Sequence, residues 1–103
     1  MAVGQLVTVA RVDEIPPDSA RLVRAGDFEL ALYNVDGKFY ATQNQCLHLK
    51  GPLGDGDLDG PVVTCPWHGW QYDVRTGENE FDRALQLETF EVVVENGDVK
   101  VLL

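Results

Sequence analysis

The sequence of 103 residues contains only two cysteines and two histidines, and its 8 basic residues are outnumbered by 17 acidic ones. The net charge of −9 opposes contact with a phosphate backbone, so we expect no nucleic-acid partner. No apolar run approaches the ~20 residues of a membrane-spanning helix, and residues 1–5 do not read as an export signal. We therefore expect a cytoplasmic protein with no membrane contact. Because the cytoplasm is reducing, we expect its two cysteines not to form a disulfide.

Length and composition predict a single small domain, residues 1–103. Apolar residues make up 45% of the chain, which allows a modest core, and a bound metal would help to stabilise so small a fold. The acidic surface would speed encounter with a partner that presents a basic face. On charge alone we favour the simpler explanation that the acidity keeps the protein soluble, so charge does not decide the function.

The chain has no long segment with helical periodicity, and short apolar runs broken by turn residues predict an all-β fold. We expect strands at residues 5–10, 20–24, 28–34, 38–43, 89–95 and 98–102. Asp36-Gly37 and Asn96-Gly97 are typical of two-residue hairpin turns. Alternate valines of the last hairpin should face a core: Val92, Val94, Val99 and Val101. These strands indicate an antiparallel sandwich or partly closed barrel.

Residues 45–77 differ from the rest of the chain, because they are rich in glycine and proline and contain every cysteine and histidine. The four side chains form the pattern C-x-H, sixteen residues, then C-x-x-H: Cys46, His48, Cys65 and His68. Chance rarely gathers them in two short pieces, so the pattern predicts a metal site. Zinc also binds two cysteines and two histidines, but in zinc fingers both cysteines usually lie in one half of the motif and both histidines in the other. One cysteine and one histidine in each half instead favour a [2Fe–2S] cluster.

Residues 46–54 and 65–73, followed by Arg75-Thr76-Gly77, resemble the Rieske motif, and the chain is similar to the ferredoxin components of multicomponent ring-hydroxylating dioxygenases. The resemblance implies one Rieske-type [2Fe–2S] cluster, with Cys46 and Cys65 on the inner iron and His48 and His68 on the outer iron. It also implies the Rieske fold, in which a base β-domain carries a cluster-binding subdomain at about residues 43–75.

The function that the resemblance implies is electron transport by a carrier that is not itself an enzyme. Its partners would be a reductase and a terminal oxygenase, and it would have no small-molecule substrate of its own, since the motif uses both histidines. Two alternatives stay open. The chain could be a small Rieske-like subunit of a nitrite reductase or another oxidoreductase complex, or a zinc-stabilised binding module.

Several neighbours of the four ligands have two possible roles. Gly51 and Gly69 either let backbone N–H groups approach the sulfides or simply form turns. Trp70 is either core or shield, and Tyr72 either packs beneath the loops, which we prefer, or reaches a cysteine sulfur with its hydroxyl. The apolar residues beside the ligands either contact a redox partner or cap the loops: Leu47, Leu49 and Trp67.

The redox potential is expected at the low end of the Rieske range, about −150 mV rather than about +300 mV. The chain has no further cysteine for a disulfide between the loops, and Trp70 brings no hydroxyl to a sulfide. Histidine ligands that reach solvent should make the potential fall as the pH rises through their titration.

Overall fold

The computed structural model describes residues 4–47, 50–67 and 69–103, in which ten strands form three antiparallel sheets. The strands are β1 (Leu6–Arg11), β2 (Ser19–Ala25), β3 (Phe28–Val35), β4 (Lys38–Gln43), β5 (Asp57–Asp59), β6 (Val62–Thr64), β7 (Gln71–Asp73), β8 (Thr89–Phe90), β9 (Val92–Glu95) and β10 (Asp98–Leu102). Their orders are β1-β10-β9, β2-β3-β4-β8 and β5-β6-β7. The predicted all-β, antiparallel fold is confirmed. The described residues include no helix with the length and hydropathy that crossing a lipid bilayer requires.

Both predicted hairpin turns form where the sequence places them. Asp36-Gly37 joins β3 to β4 with φ values of 52° and 91°, and Asn96-Gly97 joins β9 to β10 with 53° and 81°. Positive φ at both central residues defines the type I′ turn, whose twist matches that of the flanking strands. The turns fix the register, because Val35 pairs with Lys38 and Glu95 pairs with Asp98.

Two hydrophobic cores lie on opposite faces of β3, which is buried over most of its length. The first core, called the base core here, contains only aliphatic residues: Ala10, Ile15, Val23, Ala25, Leu30, Leu32, Ala41, Val99 and Val101. The second, called the loop core here, contains Ala31, Tyr33, Cys46, Leu53, Val63, Cys65, Tyr72, Val74 and Leu87. Because strand side chains alternate between faces, Leu30 and Leu32 enter one core while Ala31 and Tyr33 enter the other.

The single strand predicted at residues 89–95 is wrong, because the chain changes sheets in the middle of it. Thr89–Phe90 pairs with β4, whereas Val92–Glu95 pairs with β10. Between them, the carbonyl oxygen of Glu91 accepts a hydrogen bond from Leu102 N at 2.9 Å. Glu91 is therefore the corner that links two sheets around the base core.

The expected burial of the four valines holds for three of them. Val99 and Val101 are fully buried, and Val92 packs against the base core. Val94 is 48% exposed although it pairs with Val99, because β9 is the edge strand of its sheet and no further described strand covers it.

Residues 45–77 contain more regular structure than their glycine and proline content indicates. The short strands β5, β6 and β7 form a sheet of their own, and a 3-10 turn at Leu53–Asp55 precedes them. The two cysteine loops start from different sheets, since the first follows β4 and the second connects β6 to β7 of the small sheet.

Candidate metal centre

The two cysteine loops close with the same backbone hydrogen bond. Cys46 N donates to the carbonyl oxygen of Gly51 at 2.8 Å, and Cys65 N donates to that of Trp70 at 2.7 Å. Each bond spans five residues and holds the ends of a tight loop together. Each half of the sequence motif contains one cysteine and one histidine. The two halves thus correspond to two loops that are closed by the same backbone hydrogen bond.

Both thiols are buried and neither is in a disulfide; each cysteine is 1% exposed. Burial raises the pKa of the Cys65 thiol, and the Cys46 thiol beside Cys65 raises it further. The backbone N–H of Trp67, which donates to Cys65 Sγ at 3.4 Å, lowers this pKa. Two adjacent buried thiols become thiolates only when a cation neutralises them. A thiophilic metal or iron–sulfur cluster bound by both sulfurs would supply that charge.

Tyr72 both packs beneath the loops and contacts a cysteine sulfur, so the preference for packing alone is wrong. It is fully buried in β7, and its hydroxyl lies 3.2 Å from Cys46 Sγ. The backbone N–H of Leu47 donates to the same hydroxyl oxygen at 3.3 Å. Tyr72 therefore links the strand beneath the site to the first cysteine loop.

The two glycines beside the cysteines differ in what they do. A Cβ added to Gly51 would lie 2.6 Å from Cys65 Sγ, so this glycine permits the close approach of the two loops. Gly69 has a φ of 74° and no atom within 4 Å of an added Cβ, so turn geometry explains it.

Of the three apolar neighbours, Leu47 and Trp67 are 42% and 49% exposed beside the buried thiols. Leu49 lies outside the described residues. Trp70 is half-buried and packs against the loop core. Leu47 and Trp67 are thus exposed apolar side chains, one on each cysteine loop, and are called the apolar patch here.

Asn44 is a positioning residue that the sequence did not reveal. Its carbonyl oxygen accepts from Leu53 N at 2.8 Å, and its side-chain Oδ1 accepts from Gly54 N at 2.8 Å. The far end of the first loop is thereby tied to the residue two places before Cys46. A single asparagine before a cysteine is too common a pattern to signal this role.

The predicted ligands His48 and His68 lie outside the described residues. The described residues alone contain no group of three or more metal-binding side chains, as expected when two of four ligands are not among them. The described half of the donor set fits a [2Fe–2S] cluster: two adjacent buried thiols, one accepting from the Trp67 N–H and the other hydrogen-bonded to the Tyr72 hydroxyl.

Comparison with known proteins gives the same assignment over most of the chain. The family described as Rieske [2Fe-2S] domain matches residues 5–91. The biphenyl dioxygenase ferredoxin subunit of Pseudomonas sp. (strain KKS102) is 40% identical over 92 residues, which cover 87% of this chain and 84% of that protein. Ferredoxin CarAc of Metapseudomonas resinovorans is 39% identical over 97 residues, covering 93% of this chain and 91% of that protein.

Solved structures agree. A chain in the complex of reduced oxygenase and oxidized ferredoxin in carbazole 1,9a-dioxygenase superposes with a TM-score of 0.84 at 38% identity. The match covers 93% of this chain and 91% of that one.

Proposed function

This chain belongs to the Rieske [2Fe–2S] domain family, and on that premise we propose that it carries single electrons from a reductase to the terminal oxygenase of a dioxygenase system. It contains one Rieske-type [2Fe–2S] cluster and is an electron carrier, not a catalytic oxygenase. The observation that carries the proposal is the pair of buried, unlinked thiols on matching loops within a chain that aligns with dioxygenase ferredoxins along almost its full length.

We assign the ligands as Cys46 and Cys65 on one iron and His48 and His68 on the other. The support is the C-x-H and C-x-x-H pattern together with the burial of both thiols. The domain assignment follows: residues 43–75 form the cluster-binding subdomain and the remainder forms the base domain.

When bound, the cluster supplies one-electron redox chemistry at a potential above that of plant-type clusters. The chain's own residues shape that chemistry. The Trp67 N–H and the Tyr72 hydroxyl lie against the two sulfurs, where hydrogen bonds stabilise the added negative charge. Burial keeps water from the thiolates, and the net charge of −9 disfavours an added electron.

The apolar patch of Leu47 and Trp67, together with Leu49, is the proposed contact for redox partners. Charge supports this role, because the acidic chain would be drawn to a basic partner face before apolar contact forms. In the carbazole 1,9a-dioxygenase complex, a ferredoxin of this fold is seen with its oxygenase. We place the protein in the cytoplasm, where its two thiols would stay reduced and form no disulfide until the cluster is assembled.

The test combines spectroscopy with transfer kinetics. The reduced protein should give a Rieske-type EPR spectrum that is lost when His48 or His68 is replaced. Reduced protein mixed with the terminal oxygenase of a biphenyl or carbazole dioxygenase should reoxidise with a second-order rate that falls as salt is added. An unchanged EPR spectrum in both histidine variants would remove the ligand assignment, and no transfer to either oxygenase would contradict the proposed partner.

Trp67→Ala should slow transfer to the oxygenase by about tenfold, since interface aromatics commonly contribute over 1 kcal/mol. Val94→Ala is the matched control, because Val94 is exposed to the same degree as Trp67, 48% against 49%, but lies on the edge strand β9, where it pairs with Val99 of the base core. Equal rates for the two variants would show that the apolar patch is not the contact.

A further inference from the structure

The two type I′ hairpin turns share a backbone conformation, but their glycine N–H groups have different surroundings. At the turn between β3 and β4, Gly37 N donates to the side-chain oxygen of Asn34 at 2.7 Å. Asn34 is buried, and its amide nitrogen donates in turn to the carbonyl oxygen of Ile15 at 2.7 Å. At the turn between β9 and β10, Gly97 N has no hydrogen-bond partner among the described residues. One glycine nitrogen is therefore held by the fold, and the other is not.

This difference has a chemical consequence, because the residue before Gly97 is an asparagine. A backbone nitrogen can attack the side-chain carbonyl carbon of the preceding asparagine and close a five-membered succinimide ring. Glycine favours the attack, because it has no Cβ to obstruct the approach. Asn96-Gly97 is the only asparagine–glycine pair in the sequence, and Asn96 is exposed to water.

The other three asparagines of the chain are protected by the fold. Each is at most 7% exposed, each accepts a backbone N–H with its side-chain oxygen, and each precedes a residue larger than glycine: Asn34, Asn44 and Asn79. The Asn96 side chain, by contrast, forms no hydrogen bond with the described residues. Exposure, a free side chain and an unobstructed nitrogen thus coincide at Asn96 and at no other asparagine.

We propose that Asn96 is a site of spontaneous deamidation in the folded protein, and that the hydrogen bond from Gly37 to Asn34 protects the other turn from the same attack. Gly97 N forms a bond to Asn96 Cγ, the bond from Cγ to Nδ2 breaks, and ammonia leaves with the proton from Gly97 N. Water then opens the succinimide at either of its carbonyl carbons, which leaves aspartate or isoaspartate. No electron is transferred, and water is the only co-reactant.

The reaction changes the base domain and leaves the cysteine loops intact. The new carboxylate adds one negative charge between Glu95 and Asp98, the residues that the turn pairs. Isoaspartate also adds a methylene group to the backbone, which a two-residue turn does not accommodate. Gly97 O accepts from Val12 N at 2.9 Å, so a distorted turn also weakens the link from the hairpin to the end of β1.

The experiment compares the two turns within one molecule, the Asp36→Asn variant, in which asparagine precedes glycine at both. Asparagine is a preferred residue at this turn position, so the hairpin should keep its conformation. The folded protein is incubated in mildly alkaline buffer made with 18O-labelled water, and peptide mapping by mass spectrometry measures 18O uptake at positions 36 and 96. Position 96 should react about tenfold faster, since the reaction at position 36 must first break the hydrogen bond from Gly37 to Asn34.

The wild type gives the test without any substitution, should Asp36→Asn fail to fold. Folded wild-type protein should take up 18O at Asn96 and at none of the three buried asparagines. Asn96→Gly, which keeps a residue suited to the type I′ turn, is the control and should take up none at position 96. Equal rates at positions 36 and 96 would overturn the protective role of Asn34. No uptake at Asn96 in folded protein under conditions where the denatured chain reacts would overturn the site itself.

Discussion

The base core and the loop core share strand β3 but are built from different chemistry. The base core is entirely aliphatic, and its residues come from strands spread across the whole chain. The loop core holds both cysteines and two tyrosines, and its hydroxyls are satisfied internally. Tyr33 and Thr42, for example, are joined by a hydrogen bond of 2.8 Å, and the Thr42 hydroxyl donates to Gln43 O at 2.8 Å.

The difference shows how one small domain separates folding from function. Burial of apolar surface stabilises the base core without any bound group. The loop core buries two thiols that can be charged only with a metal beside them. We therefore expect changes in the two cores to affect different properties of the protein.

The largest effect is expected from Cys65→Ser, which removes a proposed ligand from the loop core. The purified protein should lose its cluster colour and its iron completely. Amide hydrogen exchange should speed up in β5, β6 and β7 while β1, β9 and β10 stay protected, because the base core contains no ligand. Equal loss of protection in all three sheets would contradict the separation of the two cores.

Gly51→Ala should remove most of the cluster while leaving every ligand in place. The added Cβ would lie 2.6 Å from Cys65 Sγ and 3.1 Å from the Trp67 side chain, so the loops must separate. Iron content per chain measures the effect. Gly60→Ala is the control: its φ of 56° makes alanine cost about 1–2 kcal/mol, but its Cβ meets open space. Iron loss in both variants to the same extent would mean that any destabilisation of residues 50–67 removes the cluster and that contact with the sulfur is not responsible.

Leu32→Ala should do the reverse, damaging the base core and sparing the cluster. Leu32 is fully buried, so its truncation should lower the free energy of unfolding by about 2–5 kcal/mol. Chemical denaturation measures this loss, and the EPR spectrum of the reduced protein should not change. An altered spectrum in folded Leu32→Ala protein would show that the base core determines the geometry of the site.

The smallest effect is expected from Asp73→Asn, at the end of β7. Two hydrogen bonds from the Arg75 guanidinium, at 2.9 and 3.1 Å, hold the pKa of Asp73 below its ordinary value of 3.8. A lowered folded-state pKa stabilises the protein above pH 3.8, and this contribution disappears as the pH falls through the lower value. The variant should therefore melt slightly below the wild type at pH 7, and the difference should shrink as the pH falls below 3.8.

The matched control for Asp73→Asn is Glu29→Gln, in β3. Glu29 forms one hydrogen bond with Arg24, at 2.9 Å, and its side chain is 46% exposed against 17% for Asp73. Thermal melts should show an even smaller change for Glu29→Gln. An Asp73→Asn deficit that does not shrink as the pH falls below 3.8 would assign the effect to packing and not to charge.

The sequence predicted the hairpins well because their turn residues act locally. Asp36-Gly37 and Asn96-Gly97 fix both conformation and register, and β4 and β10 begin and end where expected. The change of sheet at Glu91 was not predictable, since an uninterrupted β-forming stretch gives no sign that its halves pair with different strands.

Residue type and spacing predicted that Cys46 and Cys65 belong together, and both are buried on matching loops, while their role as ligands stays a prediction. Contacts that depend on tertiary register were not predictable. The role of Asn44, for example, depends on a loop that returns to it.

The most direct test of the account is hyperfine spectroscopy on the reduced protein after labelling with 15N-histidine, alongside iron and sulfide analysis. We predict iron and sulfide in the ratio of one [2Fe–2S] cluster per chain, with the electron spin coupled to histidine nitrogen. Protein that contains only zinc, or a cluster without coupling to labelled nitrogen, would contradict it.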